Sequence, residues 1–199
     1  MMNYSNIFVN NGLTYQAYRN LIDEKLKAGK TTGEDNSEAM LHYTKMNVHR
    51  MTRVDKTVQL TEEFLNVLAN VKKKYNLLVI SEGWCGDAAQ IVPIFDKIVQ
   101  AAPAHFQLRL VLRDQYPDLI DQHLTNGGRA IPVLLILDEN GMVLNKWGPR
   151  PALLSPLLAD WRKEEEDMMV VAEKLHGWYA KDKTLSTQRE LIELFRTLT

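Results

Sequence analysis

The sequence predicts an α/β domain, a mixed sheet of four or five strands flanked by helices, with further helices added at both ends. Three observations carry that prediction. Short apolar runs alternate with segments of helical periodicity between residues 60 and 137, the order expected of parallel strand–helix–strand units. Asn140-Gly141, lying between two apolar runs, is a strong hairpin signal and adds an antiparallel edge. Residues before 58 and after 151 read as helical.

The elements follow in order. Tyr15, Tyr18, Leu21, Ile22 and Leu26 recur at helical spacing over residues 14–28, and Gly29 fits a C-cap. A polar, turn-rich loop follows at 30–36, then a second helix over 37–54 with Met40, Leu41, Tyr43, Thr44, Val48 and Met51 on one side. Thr61 suits an N-cap, with Leu60 and Leu65 spaced as a hydrophobic staple. The stripe behind it ends in Lys72-Lys73-Lys74, a solvated helix end whose charge suits the helix dipole.

Leu77-Leu78-Val79-Ile80 reads as a strand buried on both faces. A helix with Ile91, Ile94, Phe95 and Ile98 comes next, then a strand over 106–112 and a short helix over 116–124. Residues 133–137 and 142–147 form the two strands of the hairpin. Beyond them, Ser155-Pro156 reads as an N-cap and first helical residue, and Thr187 with Glu190 has capping-box spacing. Trp147, Trp161, Trp178 and Tyr179 read as packing residues. The chain thus divides into a helical extension over 1–57, a central domain over 58–162 and a second helical extension over 163–199.

Composition excludes several function classes. The chain has 199 residues, 45% of them hydrophobic and 25% charged, ordinary values for a globular domain with a full core. A formal net charge of -1 provides no long-range attraction to nucleic acid or an acidic membrane, and neither is expected as a partner. The N-terminal residues lack the basic and apolar regions of a signal peptide, and no run approaches the roughly 20 apolar residues of a spanning helix. A cytoplasmic address is expected. Cys85 is the single cysteine, so no intramolecular disulfide can form. His42, His49, His105, His123 and His176 have no tight metal spacing, and no metal is expected.

The chemistry concentrates at Trp84-Cys85-Gly86-Asp87-Ala88, where an apolar strand runs into a helix. A thiol at a helix N-terminus is stabilised as thiolate by free amides and the dipole, which brings its pKa from about 8.5 into the range ~3.5–7.5. This corner resembles the active site of the thioredoxin superfamily. Pro93 falls where that family's active-site helix carries a proline, and Gly127-Gly128-Arg129-Ala130-Ile131-Pro132-Val133-Leu134 is similar to its cis-proline segment. Asn140-Gly141 and Lys146-Trp147-Gly148 are similar to its final hairpin and glycine. The resemblance spans roughly residues 60–161 and implies a cis Ile131-Pro132 peptide facing Cys85. Trp84 and Gly86 would then border the groove, and Ile131 would pair with an extended peptide. Arg129, beside that segment, is either the binder of an anion such as a glutathione carboxylate or a solvent-facing loop residue.

Departures from the family pattern limit what this corner can do. Ala88 stands where a dithiol enzyme has its resolving cysteine, so a mixed disulfide on Cys85 has no internal release. Asp87 places a carboxylate beside the sulfur, which raises the thiol pKa. The family's buried acid and its lysine partner fall at Val79 and Leu110, both apolar. The resemblance therefore implies a monothiol redox or thiol-adduct protein acting through Cys85 and tuned by Asp87. Its partner would be a protein or peptide thiol or disulfide, and no bound cofactor is expected. Turnover would need an external thiol such as glutathione or bacillithiol. The alternative is a non-catalytic binding module using the Cys85/Pro132 groove, and a glutathione-transferase-like enzyme is a third reading.

Overall fold

The computed structural model describes residues 3–199. Met1 and Met2, the first residues of the expected N-terminal extension, lie outside the described residues. Two helices lead the chain, α1 (Tyr15–Lys27) and α2 (Glu38–Thr57), followed by α3 (Glu62–Asn70). The side chains of Thr14, Ser37 and Thr61 cap them by accepting an amide from the first turn.

The centre runs β1 (Tyr75–Ser81), α4 (Gly86–Ala101), β2 (Phe106–Leu112), α5 (Pro117–Asp121), β3 (Val133–Leu137) and β4 (Val143–Trp147). Three helices close the chain: α6 (Leu154–Glu164), α7 (Met168–Asp182) and α8 (Leu185–Arg196). The four strands lie in the order β2-β1-β3-β4, with β1 parallel to β2 and the β1–β3 and β3–β4 pairs antiparallel. This is the mixed sheet that the sequence predicts. Leu77 to Ile80 and all of β3 are buried, as central strands covered on both faces must be. Val79 and Leu110 pair in register across β1 and β2, so the buried acid–lysine positions of the family are occupied here by apolar packing.

The N-terminal segment also reaches the sheet. Leu13 exchanges both backbone hydrogen bonds with Leu110, at 2.8 Å each, at the outer edge of β2. Ile7–Asn11 forms one turn of π-helix that buries Phe8, a feature without a sequence signal. On the inner side, α4 is buried along almost its whole length, Pro93 included, because the sheet covers one face and α2 the other.

The C-terminal helices belong to the same core. Phe195 on α8 is fully buried and meets Phe64 of α3 and Phe106 of β2 with ring centroids 5.5 and 5.2 Å apart. Gln188 donates to the Gln59 carbonyl and accepts the Thr61 amide, both at 2.9 Å, joining α8 to the start of α3.

Several local expectations are corrected. Leu65 is exposed and does not staple α3, since that side of the helix faces away from the core. Ser155 is not an N-cap; α6 starts at Leu154 without a side-chain cap because the chain already turns at Pro151, whose carbonyl takes the Leu154 amide. Thr187 and Glu190 form no capping box either. Helix α8 starts earlier, after Thr184, which leaves Thr187 buried inside it, and Glu190 instead accepts from Trp147 Nε1 at 2.7 Å and the Ala152 amide at 2.6 Å. The helix expected over 116–124 shortens to five residues.

Candidate functional site

Strand β1 ends at Ser81, and the chain turns through Glu82-Gly83-Trp84 before α4 begins. Cys85 is the N-cap of α4, and its Sγ accepts the Ala88 amide at 3.5 Å. The thiol in turn donates to the Ile131 carbonyl at 3.3 Å, across the groove. The Ile131-Pro132 peptide is cis and largely buried, and its neighbours show why Gly148 is required there. At φ +124°, a Cβ on Gly148 would lie 2.2 Å from the Pro132 carbonyl oxygen, so the end of β4 closes directly onto the proline segment.

Cys85 is only 8% exposed. Burial and the neighbouring Asp87 charge push its thiol up to about 12, outweighing the opposing amide bonds and Arg150. The helix N-terminus that would activate an exposed cysteine is here outweighed by desolvation.

Asp87 is occupied elsewhere. Its Oδ2 accepts from Arg150 Nε at 3.0 Å and Nη2 at 2.6 Å, and its Oδ1 accepts the Tyr179 hydroxyl at 2.6 Å. Arg150 comes from the loop after β4 and Tyr179 from α7, so three distant stretches meet at one carboxylate. Tyr179 was expected only to pack, yet its hydroxyl reaches the site because α7 crosses the start of α4. No local pattern in the sequence marks either partner.

Trp84 forms the opposite rim, half-buried, with the Arg113 guanidinium 4.6 Å from its ring centroid. Arg129 pairs with Asp121 through two hydrogen bonds of 2.6 and 2.7 Å and stays exposed at the mouth of the groove. Gly86 lies buried beneath Tyr43 and His176, and a Cβ there would come within 2.4 Å of the Tyr43 oxygen. Glu82, fully buried behind Trp84, accepts from the Thr32 hydroxyl and from the Asp114 amide at 3.1 Å. Burial pushes its carboxyl up to about 7. It ties the loop before α2 to the end of β2 and does not line the cleft. Among the described residues, no group of three His, Cys, Asp or Glu side chains is placed to hold a metal ion.

These elements enclose a cleft of about 620 Å³, within the ~300–1,000 Å³ usual for small-molecule sites. Trp84, Cys85, Asp87 and Ile131 form its floor, α2 contributes Met40 and Tyr43, and α6 and α7 supply Leu158, Met168, Met169 and Leu175. A family model described as Thioredoxin matches residues 33–162, well over half of the chain. The chain belongs to the thioredoxin family. That match begins ahead of α2 and includes it, in keeping with the close packing of α2 on the active-site helix of this thioredoxin fold.

Two solved structures share the architecture over nearly their full length. The chain is similar to a protein of unknown function from Pseudomonas aeruginosa, at 19% identity and a TM-score of 0.63, covering 98% of this chain and 97% of that one. It is also similar to an HIV epitope-scaffold, at 18% identity and a TM-score of 0.60, with the same coverage. At these identities the likeness concerns the thioredoxin-like fold alone. Among curated proteins, no sequence matches this chain.

Proposed function

We propose that this thioredoxin-family protein is a binding module that holds a ligand in the Cys85/Pro132 cleft, with the thiol protonated and at rest. One observation carries the reading. Asp87, the only acid beside the sulfur in the cleft lining, is committed to Arg150 and Tyr179, while the thiol gives its proton to the Ile131 carbonyl. Asp87 is thus engaged with other partners, and no second thiol can resolve an adduct, since Cys85 is the single cysteine and position 88 is alanine. The enclosing helices α2, α6 and α7 supply a pocket with apolar walls, which suits retention of a ligand.

The monothiol reading retains support from one feature. Cys85 borders the cleft, and its sulfur already receives an α4 amide, the geometry that would stabilise a thiolate or a mixed disulfide with glutathione or bacillithiol. The rate of Cys85 alkylation by iodoacetamide against pH separates the two. Binding predicts a rate that still rises at pH 10. An inflection below about 8.5, together with glutathione adducts that vanish in Cys85→Ser, would establish the monothiol function instead.

A further inference from the structure

Beside the cleft runs a hydrogen-bond chain whose direction can be worked out from its ends. Arg53 Nη2 donates to Gln90 Oε1 at 2.8 Å. Arginine can only donate, so the Gln90 oxygen must face it and the Gln90 amide nitrogen must face His176 Nδ1, 3.0 Å away. A ring nitrogen that receives an N–H is unprotonated, which puts the hydrogen of the neutral ring on Nε2. The ring is neutral because burial and the nearby Arg50 and Arg53 charges push its pKa down to about 3. Nε2 therefore donates to the Tyr43 oxygen, 3.0 Å away.

Tyr43 is left with a proton and no acceptor for it among the described residues. Its hydroxyl stands over Gly86, the residue lines the cleft, and Arg50 lies 5.1 Å from its ring centroid. Of the arginines that line the cleft, Arg113, Arg129 and Arg150 are ion-paired with Asp114, Asp121 and Asp87, while Arg162 is exposed and has no ion pair among the described residues, which leaves it available to an anion. Met40, Met168, Met169 and Leu175 offer apolar contact.

Resting on the binding reading above, we propose that the cleft takes an amphipathic carboxylate, with Tyr43 as the pre-oriented donor to its acid group and Arg53, Gln90 and His176 as positioning residues. A donor whose oxygen already accepts a hydrogen bond is polarised and gives its own proton more strongly.

Calorimetric titration with decanoate and decanol below their aggregation limits tests this on the full chain. Decanoate is expected to bind at least about tenfold more tightly than decanol, the scale of one hydrogen bond to a charged group. Tyr43→Phe should abolish that preference. In the unmodified protein, long-range ¹⁵N NMR should find the Nε2–H tautomer of His176. An Nδ1–H tautomer overturns the proposal, because Tyr43 would then spend its proton on His176. Equal affinity for the two probes, or a preference that survives in Tyr43→Phe, overturns it while the binding reading stands. Failure of both probes to bind overturns it as well and leaves the binding reading to the alkylation profile.

Discussion

Replacing Arg150 with Met tests the buried ion pair that engages Asp87 beside Cys85. The Asp87 side chain is 6% exposed and Arg150 17%, and two hydrogen bonds of 2.6 and 3.0 Å join them. Removing one partner of such a pair strands a buried charge, typically at a cost of about 3–5 kcal/mol. Tyr179 still donates to Asp87 at 2.6 Å, so the lower end, about 3 kcal/mol, is expected. In a chain of this size, each kcal/mol moves the melting temperature by roughly 2–4 °C, giving a fall of about 6–12 °C. Thermal melts at pH 7 read it directly. The fall should persist in 0.5 M NaCl, because a buried pair is little screened. Adding Asp87→Asn to Arg150→Met should restore part of the loss, since no charge remains stranded. A fall under about 2 °C, or strictly additive losses in the double variant, would refute the idea that the two charges form one buried unit.

Other outcomes follow from the same structure. Asp87→Asn removes the charge that raises the thiol and leaves Arg150 beside it, so Cys85 should be alkylated faster at pH 8 than in the parent protein. Glu82 and His176 should oppose each other in the pH dependence of stability. The Glu82 carboxyl is raised to about 7, so its contribution is complete below its unfolded pKa and is lost as pH rises through 7. The His176 imidazole is lowered to about 3, so its contribution is complete above its unfolded pKa of about 6.5 and is lost as pH falls towards 3. In urea melts between pH 4.5 and 7, Glu82→Gln should therefore make stability rise with pH more steeply than in the parent; an unchanged slope would contradict the buried-carboxyl account. Gly148→Ala adds a Cβ 2.2 Å from the Pro132 carbonyl at a left-handed φ, and should destabilise by at least about 2 kcal/mol in the same assay.

Much of the fold was legible because its signals are local. Thr61 precedes an amphipathic stripe and does cap its helix, and Asn140-Gly141 does turn the hairpin, with Gly141 at φ +82°. One failure shows where such signals stop. Thr187-Glu190 has the spacing of a capping box, but Glu190 is drawn to Trp147 Nε1 and the Ala152 amide, contacts more than 35 residues away in sequence. A local motif is overridden when a distant partner offers a better hydrogen bond.

The corner at Cys85 followed from sequence alone: an apolar strand, a helix pattern behind it and Ala88 in the resolving position define a thioredoxin-type site without a second thiol. What the sequence had no means to specify is the state of that thiol. Proximity to a helix N-terminus argues for ionisation, and only burial in the assembled structure makes desolvation the larger effect. The partners that matter most, Arg150 and Tyr179 for Asp87 and His176 for Tyr43, lie 63, 92 and 133 residues away along the chain. Electrostatic energies depend on distance and dielectric in three dimensions, and both are properties of the assembled core rather than of any segment within it.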